Sequence, residues 1–123
     1  MTETIKVLIA DDEQAVRHAL KNGLKLSRLA KFDVAEAPTA HDVMTKINHQ
    51  AIEVVLLDVR WPEGQIGITD LLAKIRGQFG QVADGGPAVI VMTAHRPPGD
   101  ATLIGEAGGW GVEGYFDKRE IRE

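Results

Sequence analysis

Hydrophobic and polar positions alternate along this chain in two different periods. Three short runs at 5–10, 52–57 and 88–92 are almost wholly apolar and rich in β-branched residues, as buried strands are. Two weaker runs, at 32–35 and 112–116, predict two further strands. The chain is therefore expected to contain five strands, of which three are buried.

Between these runs, apolar residues recur at the spacing of a helix face. Thr39 is placed to cap the second of the predicted helices. The inner faces are Val16, Ala19, Leu20 and Leu24; then Ala40, Val43, Met44 and Ile47; then Ile68, Leu71, Leu72, Ile75 and Phe79; a poorer helix covers 100–107.

Strict alternation of strands and helices favours a parallel sheet covered on both faces. We predict an α/β fold, a flavodoxin-like doubly wound parallel sheet of five strands in the order 2-1-3-4-5. Only five residues follow Lys118, so the last helix is expected to be truncated or absent. Residues 1–123 are expected to form one domain, a fragment of a longer protein.

Composition excludes several classes of protein. The 123 residues are 44% hydrophobic and 26% charged, a balance typical of a folded globular domain. A formal net charge of −4 does not indicate direct nucleic acid binding, which usually requires a basic surface. No apolar stretch is long enough for a membrane span. The absence of cysteine excludes thiol catalysis and thiolate metal sites. A cytoplasmic location is expected by elimination.

Polar residues with chemical potential follow the predicted strands directly. Asp11 and Asp12 follow the first strand in the chain, Asp58 the third, Thr93 the fourth and Lys118 the fifth. In an open parallel sheet, ligands bind beyond the carboxyl ends of the strands, where the strand order reverses. The predicted order would bring all five side chains to one pocket.

The residue types in this pocket suit phosphoryl transfer to a carboxylate. Three close carboxylates repel one another unless a cation lies among them, and oxygen ligands without His or Cys favour Mg²⁺. A carboxylate such as Asp58 can attack a phosphoryl group, while Lys118 and Thr93 neutralise or hydrogen-bond its oxygens. The sequence thus supplies a nucleophile, a cation site and two groups for the phosphoryl oxygens.

The sequence resembles the receiver domains of two-component response regulators. The motifs that carry the resemblance are IADDE at 9–13, LLD at 56–58 with Pro62 four residues on, MTA at 92–94 and GVEGYFDK at 111–118. Each motif lies at a predicted strand end and in the order of the family. The resemblance covers essentially the full chain except the final helix.

The resemblance implies a role for each matching residue. Asp58 would be phosphorylated by a sensor histidine kinase or phosphotransfer protein. Direct Mg²⁺ ligands would be Asp12 and Asp58, with Asp11 acting through water and Arg60 through its backbone carbonyl. Thr93 and Tyr115 would form a switch pair, in which Thr93 moves toward the phosphoryl group and Tyr115 turns inward to fill the vacated space.

The resemblance also bears on partners. It implies an output partner or attached effector domain, whose identity the sequence does not give, and it allows a homodimer through the fourth and fifth helices. It implies no enzymatic turnover beyond self-phosphorylation and autodephosphorylation.

The sequence departs from the family at three places, one of which is the segment 62–67, which looks one residue longer than usual. Arg119 replaces the usual proline after Lys118, and the stiff segment 95–99 follows Thr93. Two alternatives stay open: a degenerate receiver acting as a constitutive interaction module, and an aspartyl-phosphate phosphatase of the haloacid-dehalogenase type. The phosphatase would need an acidic residue two positions after Asp58, where this chain has Arg60.

Overall fold

The five predicted strands form one sheet in a computed structural model that describes residues 3–62, 64–94 and 101–121, with only the backbone of 101–104. The strands are β1 (Thr4–Ala10), β2 (Lys31–Ala37), β3 (Val54–Asp58), β4 (Ala88–Thr93) and β5 (Gly114–Asp117). The helices are α1 (Gln14–Leu26), α2 (Ala40–His49), α3 (Ile68–Phe79) and α4 (Ala101–Gly108). Across the described part of the chain, none of these helices has the length and apolar content that crossing a bilayer requires.

All strand pairs are parallel, and the order β2-β1-β3-β4-β5 confirms the prediction. Within this sheet β1 lies between β2 and β3, so the strand order reverses beside it. The register places Met92 opposite Asp58 and Asp117 opposite Thr93. The carboxyl ends of β1, β3, β4 and β5 therefore meet along one edge of the sheet.

Helices cover both faces of the sheet. On one face, the buried side chains of α2 and α3 pack on Leu8, Leu57 and Val91 in the larger core. On the other face, α1 packs Leu20 and Leu24 against a smaller core of Val7, Ile9, Leu56 and Met92. After β5, the described residues form only a short 3₁₀ turn, Lys118–Glu120, in place of a fifth helix.

Three strands differ from the sequence prediction by two residues at one end, and the other two by a single residue. β2 is longer than predicted, since all seven of its residues pair with β1. β3 starts later, because the Ile52 N–H bonds to the Gln50 carbonyl (2.8 Å), outside the ladder. β5 also starts later, after a turn in which Gly111 has a φ of 77°. The predicted features at 95–100, including His95, Pro97 and Pro98, lie outside the described residues.

A buried arginine holds together the end of the sheet opposite the polar pocket. Arg76 of α3 has a side chain only 4% exposed and paired with Glu113 (3.4 Å). Its guanidinium also donates to four backbone carbonyls, those of Trp110, Gly80, Pro87 and Gly111. Three of these acceptors lie in the segment before β5, Pro87 lies directly before β4, and Gly80 directly follows α3. This one side chain therefore fixes α3 to the segments that precede β4 and β5.

Candidate functional site

The first part of the site is the turn between β1 and α1. The Asp11 N–H donates to the Ala37 carbonyl (3.1 Å), which extends the β1–β2 pairing by one residue. Its carboxylate accepts from the Glu13 N–H (2.8 Å), an aspartate turn that leads directly into α1. Asp11 is fully buried and Asp12 is exposed. The acidic pair therefore divides into one inward and one outward carboxylate.

Asp58 is the last residue of β3 and is 3% exposed. Its Oδ1 accepts from the Arg60 N–H (3.3 Å), while the Val59 N–H continues the ladder to the Met92 carbonyl (3.0 Å). These bonds fix both the backbone around Asp58 and the direction of its carboxylate, which lies at the carboxyl edge of the sheet.

Lys118 joins the two buried aspartates. Its side chain is 7% exposed, and its Nζ lies 2.6 Å from Asp11 Oδ2 and 3.0 Å from Asp58 Oδ1. Glu13 Oε1 lies 3.6 Å from the same nitrogen. The ammonium thus lies among three carboxylates, and carboxylates from two different strand ends share one counter-charge.

The turn after β5 aims Lys118 into the site. The Asp117 carboxylate accepts from the Arg119 N–H (2.8 Å) and binds the Arg119 guanidinium (2.7 Å to Nη2). These contacts also raise the pKa of Arg119, through its hydrogen bond with Asp117 first. Arg119, which replaces the usual proline of the resembled family, therefore closes the turn with an ion pair.

Burial dominates the electrostatics of the site. The pKa of Asp58 is raised from 3.8 to about 7, first by burial and then by the negative charge of Asp11, while Lys118 opposes the rise. Burial also raises the pKa of Asp11, against the hydrogen bond from Lys118. For Lys118, burial alone would lower the pKa, but its contacts with the two aspartates outweigh burial and raise it. The site therefore favours added positive charge.

A group of three carboxylates could hold a metal ion. Ligand oxygens of Asp11, Asp12 and Glu13 all lie within 4.8 Å of one another. The donor set consists of hard oxygens, which suits Mg²⁺. Asp58 does not belong to this group, and Lys118 contacts it as well as Asp11 and Glu13. Sequence reasoning identified Asp11 and Asp12 as candidate ligands but missed Glu13, although Glu13 directly follows the acidic pair.

Beside these carboxylates lies an open cavity of 390 Å³ at the carboxyl edge of the sheet. Arg60 and Trp61 form part of its wall, and Arg60 is exposed at the rim. The full lining is Asp12, Glu13, Asp58, Arg60, Trp61, Pro62, Ala94 and Lys118. The cavity gives a ligand access to Asp58 from solvent, although the aspartate itself is nearly buried.

The remaining predicted residues lie on β4 and β5. Thr93 ends β4, is 1% exposed, and lies one residue beyond the partner of Asp58 in the register. On β5, Tyr115 is 61% exposed. The structure thus brings Asp11, Asp58 and Lys118 into contact, places Thr93 on the adjacent strand end, and leaves Tyr115 at the surface.

One contact had no signal in the sequence. Arg17 of α1 donates from Nη1 to the Asp11 carbonyl (2.8 Å), and its Nε lies 3.2 Å from Glu36. Sequence patterns do not report where such a side chain points, because its direction depends on how α1 is rotated about its axis.

Comparisons with known proteins agree with this geometry. The model of the response regulator receiver domain family matches residues 7–123. The receiver domain of a putative NarL response regulator from Mycobacterium tuberculosis has a TM-score of 0.75 and 24% identity, over 94% of this chain and 85% of that one. The RcsB receiver domain from Salmonella enterica serovar Typhimurium has a TM-score of 0.74 and 20% identity, over 95% and 79%.

A CheY-like receiver domain protein from Methanospirillum hungatei is similar as well, with a TM-score of 0.72 and 22% identity over 94% of this chain and 82% of that one. No curated protein matches the chain by sequence. Because the family model spans nearly the whole chain, the protein belongs to the response regulator receiver domains.

Proposed function

We propose that this receiver domain accepts a phosphoryl group on Asp58 from a sensor histidine kinase or phosphotransfer protein. The observation that carries the proposal is the position of the Asp58 carboxylate at the end of β3, beside a solvent-accessible cavity and 3.0 Å from the Lys118 ammonium. A buried carboxylate with a cation at its side and an open approach suits nucleophilic attack on phosphorus.

The transfer needs one bond formed and one broken. An Asp58 oxygen attacks the phosphorus, the bond from phosphorus to the donor imidazole nitrogen breaks, and its electron pair stays on that nitrogen. Lys118 is placed to neutralise one phosphoryl oxygen, because its Nζ already contacts Asp58. The Thr93 hydroxyl is proposed to donate to another oxygen.

The acidic residues would supply a Mg²⁺ site. Asp12 and Asp58 are the proposed direct ligands, with Asp11 through water and the Arg60 backbone carbonyl as a further ligand. The bound ion would neutralise phosphoryl charge as it develops. A cation also favours the ionised form of Asp58, whose pKa of about 7 otherwise leaves much of it protonated near neutral pH.

Phosphorylation is proposed to change the surface that partners contact. Tyr115 is largely exposed and Thr93 is buried at the neighbouring strand end, as a switch pair would be before activation. Movement of Thr93 toward the phosphoryl group would leave space for the Tyr115 ring to turn inward. Output would pass to a partner or to an attached effector domain, and the domain would act in the cytoplasm.

A related structure supports the phosphoacceptor role. The RcsB receiver domain similar to this chain was solved with the phosphomimetic BeF₃⁻. This observation was made on RcsB. It supports the proposal for this chain as a precedent in a domain of the same fold. The aspartyl-phosphate phosphatase reading has less support, because the exposed Arg60 stands where its general acid would be.

The test uses acetyl phosphate as the donor. The protein is incubated with Mg²⁺ and acetyl phosphate, and its intact mass is followed with and without a chelator. We expect one added phosphoryl group per chain, labile to hydroxylamine and absent in chelator. No adduct would refute phosphoacceptor function and favour an interaction module, and repeated turnover of a phosphomonoester would favour the phosphatase.

A further inference from the structure

Arg17 connects the acidic turn to the body of the domain. Its side chain is 13% exposed and lies between α1, the end of β2 and the turn after β1. The Nη1 donates to the backbone carbonyl of Asp11 (2.8 Å), and the Nε pairs with Glu36 Oε1 (3.2 Å). Among the described residues, Lys118 is the other cation that contacts Asp11, and it contacts the carboxylate instead.

The Asp11 carbonyl, which accepts from Arg17, lies between the two aspartates of the turn. It belongs to the peptide group that joins the buried Asp11 to the exposed Asp12. The Asp11 N–H is already bound to the Ala37 carbonyl (3.1 Å), so Arg17 fixes the peptide group on the other side of the same residue. These two peptide groups flank Asp11. The Glu13 N–H, which donates to Asp11 Oδ1 (2.8 Å), holds the peptide group after Asp12, so the backbone is held on both sides of Asp12.

Glu36 in turn holds the guanidinium. Its two oxygens contact different cations, with Oε1 at 3.2 Å from Arg17 and Oε2 at 3.6 Å from Lys21. Lys21 lies about one turn further along α1 and makes no contact with the acidic turn among its described interactions. The chain thus offers two cations on one helix that share one carboxylate, of which only one reaches the site.

We propose that Arg17 is a positioning residue for cation binding: it holds the Asp11–Asp12 peptide so that the acidic carboxylates converge on one ion. The inference deepens the proposed function and rests on its Mg²⁺ site. Residues that orient metal ligands without touching the metal commonly change affinity by about tenfold or more when they are replaced.

The experiment measures Mg²⁺ affinity directly. Trp61 lines the cavity, and in a Trp110→Phe background it is the one remaining tryptophan of two. Its fluorescence is titrated with Mg²⁺ in the Arg17→Met, Arg17→Lys and Lys21→Met variants. We expect Arg17→Met to weaken Mg²⁺ binding about tenfold. Arg17→Lys should weaken it less, since lysine keeps the charge but cannot contact both the Asp11 carbonyl and Glu36 as the guanidinium does. Lys21→Met should bind like the parent.

Two results would overturn the inference. One is unchanged Mg²⁺ affinity in Arg17→Met, and the other is an equal loss in Lys21→Met, which would reflect helix charge instead of positioning. Circular dichroism checks folding, and if Arg17→Met does not fold, Glu36→Gln serves in its place with an expected loss of a few fold.

Failure of the proposed function gives a different pattern. A parent protein that binds Mg²⁺ but takes no phosphoryl group from acetyl phosphate refutes phosphoacceptor function and leaves the Arg17 comparison valid. A parent protein that binds no Mg²⁺ refutes both proposals.

Discussion

Replacing Asp58 by asparagine should stabilise the metal-free protein, and the gain should grow with pH. Asp58 is 3% exposed, and burial together with the charge of Asp11 raises its pKa from 3.8 to about 7. The folded protein therefore binds this proton more tightly than the unfolded chain does. Between about pH 4 and pH 7 the folded state holds more protons, so the stability of the wild-type protein falls as pH rises through this window.

The pKa shift sets the size of the effect. A rise from 3.8 to about 7 is roughly three pH units, and each unit is worth about 1.4 kcal/mol, which gives a ceiling of about 4 kcal/mol. The attraction of Lys118 is already contained in this value, because it opposes the rise. Structural relaxation and entering water soften the cost of a buried charge, so we expect a gain of about 2 kcal/mol at pH 8.

Urea unfolding followed by circular dichroism in chelator, at about pH 5, 6, 7 and 8, measures this gain. The matched control is Asp12→Asn, which removes the same charge from an exposed carboxylate of the same cavity. The control should change the free energy of unfolding by less than about 0.5 kcal/mol at every pH. An Asp58→Asn gain that is independent of pH, or a loss at pH 8, would contradict the raised pKa of Asp58.

Three further variants test other parts of the structure. Arg76→Met should lower the free energy of unfolding by about 3 kcal/mol in urea, because it removes the donor of the buried Pro87 carbonyl and of three partly buried carbonyls. The exposed Lys74→Met should leave the free energy of unfolding nearly unchanged, and equal effects of the two variants would contradict this role of Arg76. Lys118→Met should slow labelling by acetyl phosphate about a hundredfold by removing the cation beside the acceptor, and an unchanged rate would exclude that role. Arg60→Asn should speed dephosphorylation, measured as loss of the adduct mass, if Arg60 at the cavity rim hinders attacking water; an unchanged or slower rate would remove that idea.

Much of the fold could be predicted from the sequence, because the central strands are apolar on both faces. β1, β3 and β4 stand out as continuous apolar runs for this reason. β2 was underestimated because it is an edge strand. Lys31, Asp33 and Glu36 interrupt its apolar pattern, although all seven residues pair with β1. Strand composition therefore reveals burial better than it reveals length.

The meeting of Asp11, Asp58 and Lys118 was predictable for a related reason. In a parallel sheet, residues that end neighbouring strands must lie at one edge, and the strand order could be inferred. What could not be predicted is how the side chains divide the space. Lys118 bridges Asp11 and Asp58, and Arg17 reaches the turn from α1. These contacts depend on where each side chain points and on how α1 is rotated. Neither leaves a periodic pattern of hydrophobic and polar residues in the sequence.

The residue that carries the phosphoryl group can be located chemically. After labelling with acetyl phosphate and Mg²⁺, borohydride reduction converts an aspartyl phosphate to homoserine, and peptide mass spectrometry then identifies the changed residue. Phosphorylation of Asp58 should give homoserine at position 58 and no conversion in the Asp58→Asn variant. Homoserine at Asp11 or Asp12 instead, or undiminished labelling of Asp58→Asn, would contradict it.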